Sequence, residues 1–130
     1  MHGSKSDLPV VGEFDTPVGH VTLREVEWGA MNVAVETFPA GTDTRPLFKG
    51  LPDDRCQCPH WGYVVSGRFR VIFADREETL QTGDVYYLEP GHVLVYDETT
   101  DLIEFSPRGE YLATMEVAAH NLAAMLAGAS

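Results

Sequence analysis

The chain has 130 residues, 44% of them hydrophobic, and carries a formal net charge of -11. A chain of this size buries roughly two thirds of its unfolded surface, enough for one domain with one core. The charge excludes nucleic acid and anionic membranes as partners, because both need an attractive cationic surface.

Acidic residues are spread over "LPDD", "DREE" and "YDETTD", the pattern of a solvated surface rather than of a tail. No run is apolar for long enough to be a signal-peptide core or a membrane span. With two cysteines no disulfide framework is in play. Cys56 and Cys58 would point the same way from an extended strand, too far apart to bridge. The expectation is a reduced, cytoplasmic protein.

In chain order, residues 1–15 read as a partly flexible N-terminal extension, and 16–130 as the domain. "HVTLREVEWG" alternates imperfectly and ends at Gly29. "AMNVAVETF" places Met31, Val33 and Val35 on one face of a strand. "PAGTDTRPLFKGLPDD" is too rich in Gly, Pro and Asp for either regular structure and reads as a long loop, often a functional feature.

From His60 to Ser106 short strands follow, separated by turn signals at Ser66-Gly67, Asp75 to Glu78, Thr82-Gly83-Asp84 and Glu89-Pro90-Gly91. Regular short strands with this punctuation predict an antiparallel sandwich or barrel. Ser106-Pro107 reads as an N-cap with proline in the first turn. Tyr111, Met115, Ala118, Leu122 and Met125, joined by Leu112, Ala119 and Leu126, then recur at helical spacing. One helix over 108–127 is expected, ending near Gly128 and packing either on the barrel exterior or in a dimer interface.

Two stretches carry a family likeness. "CQCPHWGYVVSG", Cys56 to Gly67, resembles the first cupin motif, and "GDVYYLEPGH" resembles the second. The resemblance covers about half of the chain, from the loop before Cys56 to Phe105. It implies an all-β fold: an antiparallel jelly-roll (cupin) barrel with one C-terminal helix, with a ligand or metal site in the barrel mouth. The wording is similar to a bacterial cupin subgroup that implies no particular substrate.

The usual ligand positions of the family are not filled in the usual way. Counting back from Gly67, His60 stands where a glutamate is common, and Cys56 and Asp54 where two histidines are common. Counting from Gly83 and Gly91, Leu94 holds the motif-two histidine position, with His92 two residues earlier. Yet Asp54, Cys56, Cys58 and His60 share parity, hence one face of a strand, and His92 shares parity with the inward position 94.

Against a metal site, cysteines also serve as small buried hydrophobes, and a histidine beside Trp61 can bond a carbonyl. C-x-C-x-H is also no standard zinc spacing. In an extended strand the Cys56 and His60 α-carbons would lie about 13 Å apart, so both reach one ion only if Pro59 bends the chain. Thiolate with imidazole suits a divalent metal ion, zinc before oxygen-activating iron(II). The expected ligands are Cys56, Cys58, His60 and His92, with Asp54 in reserve. Four protein ligands would make the site structural or sensory. Three would leave a position for water or substrate.

Trp61, Tyr63, Tyr86 and Tyr87 surround this region, and one or two should line the cavity. Glu89, Tyr63 and Tyr87 are candidates for acid–base roles. His20 and His120 read as surface or structural residues. The expected function is a metal-containing cupin that binds a small molecule in its barrel, as a homodimer, whether or not it is an enzyme. The alternatives are a sensing or structural-zinc module without catalysis and a metal-free dimerisation barrel.

Overall fold

The computed structural model describes residues 1–128, so the last two positions of the expected domain lie outside the described residues. Among the described residues nine strands precede one helix. They are β1 (Val10–Thr16), β2 (Gly19–Trp28), β3 (Met31–Phe38), β4 (His60–Ser66), β5 (Arg68–Ile72), β6 (Glu77–Gln81), β7 (Val85–Leu88), β8 (Val93–Tyr96) and β9 (Thr100–Pro107), followed by α1 (Arg108–Gly128). A six-stranded sheet has the order β1-β2-β3-β9-β4-β7, and a three-stranded sheet the order β6-β5-β8. All these pairs are antiparallel, the expected all-β architecture with one terminal helix. A strand begins at Val10, inside the stretch expected to be an extension. No helix among the described residues is long and apolar enough to cross a membrane.

The core lies between the sheets. Val64, Leu88 and Leu102 of the larger sheet meet Phe69, Val71, Leu80, Leu94 and Tyr96 of the smaller one. Each large apolar side chain buried there contributes about 1.5–3 kcal/mol relative to exposure. Phe38 stacks on Tyr96 with ring centroids 4.5 Å apart. Two glycines let the chain approach itself closely. Gly67 turns from β4 into β5 at φ 105°, and a Cβ there would lie 2.4 Å from the Thr99 carbonyl oxygen. At Gly62 a Cβ would lie 2.4 Å from the Tyr86 hydroxyl, so only glycine lets that ring cross β4.

The outer face of the larger sheet is apolar too. Val33 and Val35 lie there, covered by Leu8 and flanked by Val26, Trp28 and Ile103. The Arg24 guanidinium donates to the Ser6 and Leu8 carbonyls at 3.2 and 2.9 Å, holding that segment down. The apolar alternation of "AMNVAVETF" therefore marks the outside of the barrel. Asn32, Ala34 and Glu36, the other face, are buried.

The loop after β3 contains two short 3₁₀ turns, Arg45–Phe48 and Pro52–Asp54. Thr44 clamps it to β8: its backbone N–H donates to the Leu94 carbonyl at 2.9 Å, and its hydroxyl accepts from Leu94 N–H at 2.8 Å. The helix starts at Arg108, the first residue expected, but the expected cap residue and the proline after it stand outside it. Ser106 and Pro107 belong to β9, because the Ser106 hydroxyl is engaged by His60 and not by the helix terminus. Helix α1 buries Tyr111, Thr114 and Ala118. The Asn121 amide donates to the Leu47 and Lys49 carbonyls at 2.7 and 2.8 Å, fastening the helix to the first 3₁₀ turn.

Candidate metal centre and barrel cavity

Cys56, His60 and His92 come together by two local devices. An isolated antiparallel bridge pairs Cys56 with His92, with Cys56 N–H donating to the His92 carbonyl at 2.9 Å. Residues 57–59, including Pro59, lie outside regular strand, and β4 begins only at His60. That break removes the separation an extended strand would impose. One donor atom from each of the three residues lies within 4.8 Å of the other two, and all three residues are buried.

The outer contacts fix which ring nitrogens face inward. His92 Nδ1 donates to the Glu89 carbonyl at 2.7 Å, so its proton sits on Nδ1. His92 Nε2 is then a bare lone pair, fully buried and without a hydrogen-bond partner among the described residues. Leaving such an acceptor unpaired costs about 1–3 kcal/mol. His60 Nδ1 lies 2.6 Å from Ser106 Oγ and 3.5 Å from Glu104 Oε2, the position of an N–H between two acceptors. His60 Nε2 faces Cys56 Sγ at 3.6 Å. Holding the far nitrogen of a histidine in this way orients the near one toward a metal.

The cluster is uncharged as it stands. Burial pushes the Cys56 thiol up to about 12 and pulls His60 and His92 down to about 4, His92 also because His60 is close. His60 is therefore neutral beside Glu104, and their 3.5 Å approach is not an ion pair. A soft thiol and two lone-pair nitrogens, one of them the orphaned acceptor of His92, form a donor set that fits a divalent metal ion.

The remaining expected residues lie apart. Cys58 is buried, but its Sγ is directed at the Pro59 carbonyl at 3.4 Å, and it packs with Phe48, Val93 and Tyr111. Asp54 is exposed and accepts from Gly50 N–H at 2.9 Å. Glu89 pairs with Arg76 on the surface. Tyr63 and Tyr87 lie on the outer face of the sheet, with Tyr87 stacked on Trp61 at 5.0 Å. His20 lies on the surface between Asp15 and Glu13, and His120 is exposed.

Beside the cluster a cavity of about 400 Å³ opens between the barrel and α1. Cys56 and His60 form part of its wall. Phe38, Phe48, Leu94, Tyr111, Met115 and Leu122 supply apolar surface, and the polar groups are mainly Glu25, Glu36 and Glu104. Tyr86 donates to Glu104 at 2.9 Å. Burial raises the Glu36 carboxyl well above its ordinary range, and burial also raises Glu104. Glu36 and Glu104 stand at inward positions of strands whose outward face is also apolar, so the alternation of "AMNVAVETF" and "DLIEFS" did not reveal which face turned in.

No family model matches the chain, and no curated protein does. Solved structures do. The EutQ protein of Clostridium difficile is 14% identical with a TM-score of 0.53, over 82% of this chain and 80% of that one. A cupin superfamily protein from Desulfitobacterium hafniense is 9% identical with a TM-score of 0.54, over 72% of this chain and 83% of that one. The chain is folded as a small cupin domain. The chain is also similar to a conserved protein of unknown function from Streptococcus pyogenes, 12% identical with a TM-score of 0.54 over 72% of this chain and 78% of that one. At these identities the likeness is one of fold. The candidate centre rests on the chain's own residues Cys56, His60 and His92.

Proposed function

We propose that this cupin holds a zinc ion on Cys56, His60 and His92 and binds a small molecule in the adjoining barrel cavity. The observation that carries the reading is His92 Nε2. It is a buried lone pair with no partner among the described residues, held toward an imidazole and a thiol. When bound, the ion would supply a Lewis acid for an oxygen or nitrogen atom of the ligand. Ser106 and the Glu89 carbonyl orient the two imidazoles. The apolar wall around Phe48, Met115 and Leu122 excludes water.

The placement of Cys58 favours three protein ligands over four, and so a ligand-binding centre over a purely structural one. The test is metal release into a colorimetric chelator. About one zinc per chain is expected in wild type and almost none in Cys56→Ser and His60→Ala. Protein that is metal-free and equally stable with and without those substitutions would reject the reading.

Pairing of two copies is the second part of the proposal. Trp61, Tyr63, Val85, Tyr87 and Phe105 are exposed together on the outer face of β4, β7 and β9, Val85 to 80%. Two copies with net charge -11 repel over most of their surface, and this patch of uncharged side chains is where they can meet. Large exposed apolar patches mark such surfaces. The occupant proposed is a second copy of the chain.

A further inference from the structure

Three carboxyl groups, Glu25, Glu36 and Glu104, line the cavity, and its wall contains no lysine or arginine. Two of them have their own donors, Tyr111 for Glu25 and Tyr86 for Glu104. Glu36 does not. It is 8% exposed, lines the cavity, and among the described residues has only the Glu104 carboxyl as a hydrogen-bond partner. A buried carboxyl bonded to a second carboxyl, with a third nearby, is an excess of acceptors that positive charge or added donors would relieve.

The three carboxyls are not a second metal centre. The one group of three or more His, Cys, Asp or Glu residues with converging donor atoms, among those described, is Cys56, His60 and His92. The rest of the wall is hydrocarbon and aromatic: Phe38 and Leu94 from the barrel, Phe48 from the 3₁₀ turn, Met115, Ala118 and Leu122 from α1. An anionic ligand would meet three carboxyls and no cation. A wholly apolar ligand would bury Glu36 more deeply and leave it unsatisfied. A ligand with an apolar body and an ammonium head would satisfy both parts of the wall, the head bonding Glu36 and Glu104.

We infer that the cavity is built for a small organic amine, bound as its cation against Glu36 and Glu104. The inference rests on the reading that the barrel holds a small molecule, and it specifies the class of that molecule. A cavity of about 400 Å³ lies within the range of small-ligand sites and suits one ring or a short branched chain.

Three probes with one cyclohexylmethyl body and different heads test it: the amine, the alcohol and cyclohexylacetic acid. Each is titrated into wild-type protein by calorimetry, with zinc content measured on the same samples. The amine is expected to bind about tenfold or more tighter than the alcohol, and the acid not at all, since a charge-assisted hydrogen bond in a buried site exceeds a tenfold effect. Glu36→Gln should remove most of that preference while zinc content stays unchanged. Equal binding of the alcohol, tighter binding of the acid, no binding of the amine, or an undiminished preference in Glu36→Gln would each overturn the inference. Amine binding by zinc-free protein would leave it standing and reject the metal reading alone. The wild-type comparison needs no variant, so a poorly folding Glu36→Gln leaves the test decisive.

Discussion

Cys56 keeps its proton up to about pH 12 in the metal-free protein, whereas His60 and His92 are neutral down to about pH 4. A thiolate is the ligand form, so an ion bound to all three displaces one proton, from Cys56, and none from the imidazoles. The sign follows. The proton competes at every pH below the thiol's value, so affinity rises with pH by about tenfold per unit between roughly pH 5 and pH 9. Competition titrations at several pH values should give that slope. A slope near zero would exclude the thiol as ligand, and one near two would bring in Cys58. Cys58→Ala is accordingly expected to keep the metal and to lose about 1 kcal/mol of stability from the packing against Phe48 and Tyr111. Urea denaturation and metal content measured together would check it.

Among the elements, β4 does most to position the site, because its inward face carries His60, Gly62 and Val64 in succession. Gly62 is the position least able to change. An added Cβ would meet the Tyr86 ring and the Ile103 carbonyl oxygen at 2.4 and 2.6 Å. Gly62→Ala should cost roughly 2–3 kcal/mol and displace Tyr86 from Glu104. Thermal unfolding would read the first effect and amine titration the second. Gly67, Gly83 and the Glu89-Pro90-Gly91 turn were legible in the sequence because turn chemistry is local, and so the strands between them were too. The terminal helix was legible from its spacing. Its start at Arg108 was too, but the role of Ser106 was not, since a serine before proline looks the same whether its hydroxyl caps a helix or bonds a histidine 46 residues away.

The candidate centre was legible in the same uneven way. Cys56, His60 and His92 stood out by residue type, and the break at Pro59 could be asked for in advance. Cys58 shared their parity, but parity ends where regular strand ends, and residues 57–59 lie in that break. Glu36 and Glu104 were hidden because both faces of their sheet are apolar, one against the core and one against Leu8 or solvent.

At the scale of the whole molecule, strong acidity and a bare aromatic face act against each other. Pairing through Trp61, Tyr63 and Tyr87 should make the melting temperature rise with protein concentration. Trp61→Glu should abolish that dependence and give a monomer by light scattering, with little loss of monomer stability because the side chain is 43% exposed. A concentration-dependent dimer that survives Trp61→Glu would move the interface elsewhere, for instance to the exposed Leu112, Met125 and Leu126 of α1.

The barrel, the break at Pro59, the Cys56–His92 bridge and the clamped imidazoles all serve one claim, that a metal ion sits on one sulfur and two nitrogens. X-ray absorption at the zinc edge, on protein purified without added metal, reads that donor set directly. It should show one sulfur at about 2.3 Å and two imidazole nitrogens at about 2.0–2.1 Å, with a further light atom completing the shell. Two sulfurs, or no zinc in the protein at all, would contradict it.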